Sequence, residues 1–133
     1  MTVFSVFLGG GIGSVLRWLV TSRIASHWGV MLANVFGAML IGMASEYFLS
    51  RADLRPEVRS FIVTGFLGGF TTFSTYLLDF NHLLSHEKWS EAGIYLAGSI
   101  VVGFAFLLAR SRLMKLFLEL DAGLKVTYIS AML

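Results

Sequence analysis

Residues 64–76 read Thr-Gly-Phe-Leu-Gly-Gly-Phe-Thr-Thr-Phe-Ser-Thr-Tyr, with three glycines and five Ser or Thr hydroxyls inside an otherwise apolar part of the chain. Two adjacent glycines weaken a helix by about 1 kcal/mol each relative to alanine, so the pattern predicts a broken helix. Backbone groups freed at a break in a membrane need partners from the protein, because lipid supplies none. Two interpretations fit equally: freed carbonyls that coordinate an ion, or a packing kink capped by the hydroxyl side chains.

This segment lies in the third of four stretches that contain no charged residue: 1–16, 28–45, 60–78 and 92–109. The 133-residue chain is 56% hydrophobic and only 14% charged, against about 45–50% and roughly 25% in soluble domains. Each stretch, extended slightly, approaches the roughly 20 residues that cross a bilayer as a helix. The sequence therefore predicts an all-α membrane protein, with one four-helix transmembrane domain over residues 1–133. The expected spans are about 3–22, 28–48, 58–83 and 91–112, followed by a C-terminal tail at 113–133.

The sequence contains few residues that could support a disulfide, a metal site or enzymatic acid–base catalysis. It has no cysteine, which excludes disulfides and thiolate sites. Its three histidines (His27, His82 and His86) fall in loops or at span ends, and no pair of carboxylates lies within a span. The spacing of His82 and His86, with Glu87 beside them, would permit a metal site, but two solvated histidines are the expectation. We therefore expect neither an enzyme nor a nucleic-acid-binding protein.

Several polar side chains occur singly within the spans. Asn34 is a lone amide in the second span, and Ser99 follows Tyr95 by four residues in the fourth. An unpaired polar group in hydrocarbon costs a few kcal/mol, so each alone most often bonds one helix to another. One such group in each of several spans indicates a polar path instead.

The aromatic and basic residues of the spans add two candidates. Phe73 and Tyr76 are three residues apart, which places both rings on one helical face. A ring edge bears partial positive charge, so a small anion can lie against it. Arg17 is the one cation that lies more than two residues from the end of a predicted span. It is either a functional residue or a side chain that extends to the membrane interface.

Basic residues are distributed unevenly between the two predicted sides of the membrane. Seven lie on the side of the termini and the second loop: Arg51, Arg55, Arg59, Arg110, Arg112, Lys115 and Lys125. Three lie on the other side: Arg17, Arg23 and Lys88. This bias favours an orientation with both termini inside the cell.

Four motifs, in order along the chain, resemble those of the Fluc (CrcB) fluoride channel family. The third span contains the most specific, TGFLGGFTTFST at residues 64–75. The others are GGIGSVLR at 10–17, NVFG at 34–37 and YLAGS at 95–99. The resemblance extends over roughly residues 9–103, and so covers all four spans.

The resemblance implies a passive, fluoride-selective channel built as an antiparallel dual-topology dimer with two pores along the subunit interface. It also implies a central structural Na⁺ held by the backbone carbonyls of Gly68 and Thr71 from both subunits. Carbonyl oxygens suit such a hard cation. The residues implied to line the fluoride pore are Asn34, Phe73, Ser74, Thr75, Tyr76, Tyr95 and Ser99.

Three positions depart from the pattern of the family. Tyr76 stands where the family usually has a second phenylalanine, and Gly103 where a serine is common. Asp79 replaces a common glutamate near the pore mouth, where it and Arg17 are candidates for a vestibule. The added hydroxyl of Tyr76 would either donate to the ion or narrow the pore.

By resemblance, the expected role is export of cytoplasmic fluoride across the inner (plasma) membrane, which relieves fluoride toxicity without energy coupling. The uneven basic residues suggest an alternative to the homodimer, in which this subunit has a fixed orientation and pairs with an oppositely oriented homologue. A small multidrug or cation exporter would need a carboxylate deep in a span, whereas Glu46 and Asp79 lie near span ends. A membrane assembly protein without transport activity is the third alternative.

Overall fold

The computed structural model describes residues 1–24, 26–51, 53–110 and 112–120. Every regular element within these ranges is helical. Four helical spans are long and apolar enough to cross a membrane: Thr2–Arg23, Trp28–Ser50, Pro56–Ser85 and Trp89–Leu108. The prediction of an all-α protein with four membrane-spanning segments is therefore confirmed. The end of the predicted tail, with Lys125, lies outside the described residues.

Three of the four spans are single helices: α1 (Thr2–Arg23), α2 (Trp28–Ser50) and α5 (Trp89–Leu108). The third consists of α3 and α4. Helix α3 runs through three consecutive segments, Pro56–Arg59, the π-helical Ser60–Leu67 and Gly68–Phe70, and α4 is Ser74–Ser85. Pro56 begins α3, a position where its missing N–H has no helical partner to lose. Residues 71–73 between α3 and α4 are not helical and are called the break below.

Helices α1 and α3 touch backbone to backbone through glycines. A Cβ atom added at Gly65 would lie 3.0 Å from the Cα of Gly9, and one at Gly69 would lie 3.0 Å from the Cα of Gly10. A Cβ at Gly13 would run into the carbonyl oxygen of Phe66. Glycines spaced four residues apart in these two spans, Gly9 with Gly13 and Gly65 with Gly69, therefore serve close helix packing.

Helices α2, α4 and α5 enclose a small buried cluster of apolar and aromatic side chains: Val30, Tyr76, Leu83, Ala92 and Tyr95. Tyr95 is fully buried at its centre. On other faces of α1 and α5, large apolar side chains such as Phe7 and Phe104 are exposed in the single chain. A surface of this kind requires lipid or a second subunit. Residues 112–120 form a further short helix, in which Met114 is buried.

Candidate functional site at the break in the third span

Asn34 of α2 bridges the break with two hydrogen bonds to the backbone of one residue. Its Nδ2 donates to the carbonyl oxygen of Thr72 (2.9 Å), and its Oδ1 accepts from the Thr72 backbone N–H (2.8 Å). The lone amide predicted to be a polar contact thus substitutes for the helical partners that Thr72 lacks. A second Nδ2 hydrogen and a second Oδ1 lone pair leave Asn34 capacity for one more ligand.

Two side chains take the backbone N–H groups that would continue the helix through the break. The Thr72 N–H, four residues after Gly68, donates to Asn34. The Thr75 N–H, four residues after Thr71, donates to the Thr72 hydroxyl (3.3 Å). The carbonyls of Gly68 and Thr71 therefore lose their helical donors, and both are available for another partner.

The break faces a groove of about 310 Å³ whose lining includes Asn34, Gly68, Thr71, Thr72 and Phe73. Gly68 is exposed, and Thr71 is half-buried with an extended backbone (φ −88°, ψ 157°). The Thr71 hydroxyl donates to the backbone carbonyl of Leu67 (3.0 Å). The polar group that Thr71 offers to the groove is therefore its backbone carbonyl. The groove thus combines backbone oxygens, an amide and an aromatic ring.

The hydroxyl groups after the break form a short network centred on Thr72. Its Oγ1 lies 3.1 Å from Thr75 Oγ1 and 3.5 Å from Ser74 Oγ. Ser74 is exposed and Thr75 is half-buried. Three adjacent hydroxyls supply rotatable donors and acceptors that can turn toward an anion or a cation.

Phe73 and Tyr76 are neighbours, but their environments differ sharply. Their ring centroids are 6.3 Å apart, with 24° between the ring planes. Phe73 is 71% exposed in the single chain, whereas Tyr76 is only 6% exposed. The Tyr76 hydroxyl donates to the carbonyl oxygen of Leu96 in α5 (3.1 Å). The extra hydroxyl is therefore bound by the backbone of a neighbouring helix, which differs from both alternatives offered by the sequence.

Tyr76 leads to a second group of predicted residues between α4 and α5. The rings of Tyr76 and Tyr95 are 4.7 Å apart, and the Tyr95 hydroxyl lies 3.4 Å from a carboxylate oxygen of Asp79. The Ser99 hydroxyl donates to the carbonyl of Tyr95 (2.6 Å). Asp79 of α4 and Ser99 of α5 are thus both linked to Tyr95, at its side-chain hydroxyl and at its backbone carbonyl respectively, and these three residues are called the α4–α5 chain below.

Asp79 also lines a cavity of about 580 Å³ beside α4, which we call the α4 vestibule. His82, His86 and Lys88 are other members of its lining. Arg17, the other vestibule candidate, is half-buried on α1 and is not among the residues that line this cavity. Of the predicted site residues, the structure places four in the lining of the groove: Asn34, Gly68, Thr71 and Phe73. Ser74 and Thr75 contact the Thr72 hydroxyl beside it, and Tyr76 packs on Tyr95 of the α4–α5 chain.

Two residues of the site were not singled out from the sequence. Thr72 supplies both backbone and hydroxyl groups to the break, and its place in a run of Thr and Ser was the only signal for it. Gly37 packs on the Thr71 side chain so closely that an added Cβ would overlap its methyl group. The NVFG spacing, with Gly37 one turn after Asn34, was a usable signal for this contact.

The chain is similar to one described family and to several named proteins. The model of the family "CrcB-like protein, Camphor Resistance (CrcB)" matches residues 4–110. A protein of a Hydrogenobaculum species named "Fluoride-specific ion channel FluC" is 39% identical over 111 residues, which cover 80% of this chain and 91% of that protein. Proteins with the same name from Chlorobium chlorochromatii (41% over 107 residues, 77% of this chain and 83% of the relative) and Rhizobium meliloti (36% over 119, 85% and 95%) are also similar.

Proposed function

Because this multi-pass membrane protein belongs to the Fluc (CrcB) family, we propose that it is a passive, fluoride-selective ion channel that exports cytoplasmic fluoride across the inner (plasma) membrane. The observation that supports it most is the break at residues 71–73, where side chains replace the helical bonds and two backbone carbonyls become free. Irregular backbone at membrane depth is tolerated where it is enclosed by protein or lines a cavity. A site of this kind serves ions better than larger substrates, because its polar groups are small and few.

The free carbonyls of Gly68 and Thr71 fit a structural Na⁺. Hard cations prefer oxygen ligands, and uncharged carbonyl oxygens suit a monovalent ion whose charge needs no full neutralisation. One chain offers two such oxygens, and a second, antiparallel chain would offer the same two again. A bound cation supplies a fixed positive charge that lowers the electrostatic cost of an anion nearby.

The fluoride path in this proposal begins at Phe73. Its ring is the most exposed aromatic group of the site and has no enclosing wall in the single chain, so a second subunit is needed to complete a pore around it. The positive edge of a ring and the hydroxyls of Ser74 and Thr75 can replace part of the water that fluoride loses. The further N–H of Asn34 is a fourth contact, and Tyr95 and Ser99 extend the path along α5.

We propose that the second subunit is an antiparallel copy of this chain. Two-fold pairing in that orientation supplies each pore with the same groups from both subunits. The uneven basic residues point to one alternative within the proposal, an oppositely oriented homologue as partner. Cross-linking of the singly expressed protein distinguishes the two, since antiparallel homodimers that pass fluoride exclude the need for a partner chain.

The decisive experiment is fluoride efflux from liposomes that contain the purified protein, followed with a fluoride electrode and with chloride as the control ion. We expect rapid loss of fluoride without loss of chloride. Phe73→Ile should reduce fluoride efflux severely. Phe7→Ile is the matched control, because Phe7 is 74% exposed on α1 and does not line the groove. Equal efflux from both variants would contradict the role of Phe73, and cation export coupled to protons would favour the exporter.

A separate measurement tests the sodium site. Replacement of Na⁺ by a large organic cation at constant ionic strength should lower the Tm of the detergent-solubilised protein. A ligand at 100 times its Kd stabilises a protein by about 2.7 kcal/mol, an effect large enough to follow by thermal unfolding. A Tm that does not depend on Na⁺ down to trace concentrations would reject the site.

A further inference from the structure

The C-terminal end of α4 holds a pair of histidines that the fluoride path does not use. His82 and His86 are separated by one helical turn, and their ring centroids are 4.1 Å apart. Both residues are exposed and both line the α4 vestibule. Side chains four residues apart on a helix share one face, where two imidazoles can reach a common ligand.

A hydrogen bond to the backbone fixes the role of one ring. His86 Nδ1 lies 2.9 Å from the carbonyl oxygen of His82. A carbonyl only accepts, so Nδ1 is the nitrogen that donates and Nε2 keeps the lone pair. Histidines that bind metals commonly have this arrangement, in which the second ring nitrogen donates to a carbonyl or carboxylate and so orients the ring.

The charges around the pair favour a cation over an anion. Asp79 lines the same vestibule and supplies a negative charge. Lys88 lines it too, but its Nζ lies 3.2 Å from a carboxylate oxygen of Glu91, which offsets its charge. Glu87, next to His86, is exposed. With Lys88 offset in this way, Asp79 and Glu87 are the charged side chains near the pair that a cation would meet.

We propose that His82 and His86 form a binding site for a divalent transition-metal ion on the wall of the α4 vestibule. Neutral imidazole suits Zn²⁺, Ni²⁺ and Cu²⁺ and discriminates against Mg²⁺ and Ca²⁺, which prefer oxygen. The described residues contain no group of three or more metal-binding side chains, so water completes the coordination. The site is therefore open and exchangeable, unlike a closed structural zinc site.

A metal ion at this position affects the ion path, a consequence that rests on the proposed function. Asp79 lies on the same vestibule wall and accepts a hydrogen bond from Tyr95 of the polar chain. A hydrated divalent ion bound to the two histidines narrows the vestibule. Its positive charge also attracts fluoride and so holds the anion there. Bound metal should therefore slow fluoride efflux.

Direct binding of Zn²⁺ to the full-length protein, purified without a polyhistidine tag, tests the site by calorimetry in detergent. We expect one Zn²⁺ per subunit, with Cu²⁺ bound more tightly and Mg²⁺ not competing. Loss of an outer-shell partner lowers metal affinity by about 10–100-fold, and loss of a direct ligand should cost at least as much. His82→Gln and His86→Gln should each show that loss, whereas Ser85→Ala, on the same wall, should bind normally. Equal binding to the wild type and the double histidine variant would overturn the proposal.

Efflux from liposomes with Zn²⁺ on both sides tests the consequence. Zn²⁺ should slow fluoride efflux through the wild type and Ser85→Ala but not through the double histidine variant. Unchanged efflux at Zn²⁺ concentrations that saturate the site would overturn the effect on the path. A protein that passes no fluoride even without metal would reject the proposed function instead, and the calorimetry would still decide the site.

Discussion

Asn34 and Thr72 form a reciprocal pair in which one side-chain amide satisfies both the N–H and the carbonyl of one backbone residue, at 2.8 and 2.9 Å. The pair joins α2 to the break across 38 residues of sequence. The pair has two consequences. It fixes the backbone of the break, and it occupies the Thr72 N–H, which would otherwise donate a hydrogen bond to the Gly68 carbonyl. In the proposed channel, a change at Asn34 therefore alters both the fold of the break and the ion site.

Asn34→Ala should both destabilise the protein and abolish fluoride efflux. The variant leaves the N–H and the carbonyl of Thr72, a half-buried residue, without these partners. A fully buried unsatisfied group costs about 1–3 kcal/mol, so the two half-buried groups together should cost about that much. Thermal unfolding in detergent and liposome efflux measure the two effects.

Asn81→Ala is the matched control for this variant, because Asn81 is an exposed amide on α4. Its effect should stay within about 0.5 kcal/mol, as is usual for surface positions. Similar Tm values for the Asn34 and Asn81 variants would show that the amide pair contributes little to the fold.

Gly13→Ala and Gly11→Ala should have opposite effects on stability, although both lie on α1. A Cβ at Gly13 overlaps the backbone carbonyl of Phe66, which cannot move without α3, whereas a Cβ at Gly11 meets nothing within 4 Å. Overpacking of this kind costs about 1–3 kcal/mol. Gly11→Ala should be neutral or stabilising by up to about 1 kcal/mol, because alanine is the better helix former. The measurement is thermal unfolding of the two variants side by side. A higher Tm for Gly13→Ala than for Gly11→Ala would contradict the close contact between Gly13 and Phe66.

The four spans could be predicted from the sequence because hydropathy and charge are properties of the chain itself. Close helix packing through Gly9 and Gly13 could be predicted as well, since glycines four residues apart have few other roles in a membrane helix, but the sequence does not show that α3 is the partner. The pairing of Asn34 with Thr72 could not, because the sequence shows a lone amide but not the tertiary register that selects its partner.

The different environments of Phe73 and Tyr76 were also beyond prediction. Their spacing predicts a shared face only if both residues lie in one helix, and Phe73 precedes α4. Its ring follows the irregular backbone of the break outward, while Tyr76 enters the core between α4 and α5. The rings remain neighbours, but only Phe73 stays accessible.

Tyr76→Phe should retain most of its fluoride efflux, within about twofold of the wild type. The Tyr76 hydroxyl donates to the Leu96 carbonyl of α5, not toward the groove. One hydrogen bond contributes about 0.5–1.5 kcal/mol to stability, so a modest fall in Tm should accompany the change.

Tyr95→Phe provides the comparison, because it also removes one hydroxyl from a buried ring. That hydroxyl contacts Asp79, and its loss interrupts the polar chain to the vestibule. We expect a larger fall in efflux for Tyr95→Phe than for Tyr76→Phe, measured in the same liposome assay. The reverse order would place the Tyr76 hydroxyl in the fluoride path.

Thr72→Val and Thr72→Ser separate the hydroxyl at the break from the shape of the side chain. Valine keeps the volume but loses the oxygen that accepts the Thr75 N–H, so the first turn of α4 loses its side-chain partner. The loss of such a partner costs about 1 kcal/mol and loosens the turn that holds the Thr71 carbonyl, whose extended backbone (φ −88°, ψ 157°) points it away from the helical direction. Thr72→Val should therefore weaken the dependence of Tm on Na⁺, whereas Thr72→Ser, which retains the oxygen, should behave like the wild type. If both variants kept the full Na⁺ dependence, the Thr72 hydroxyl would not help to position the Thr71 carbonyl.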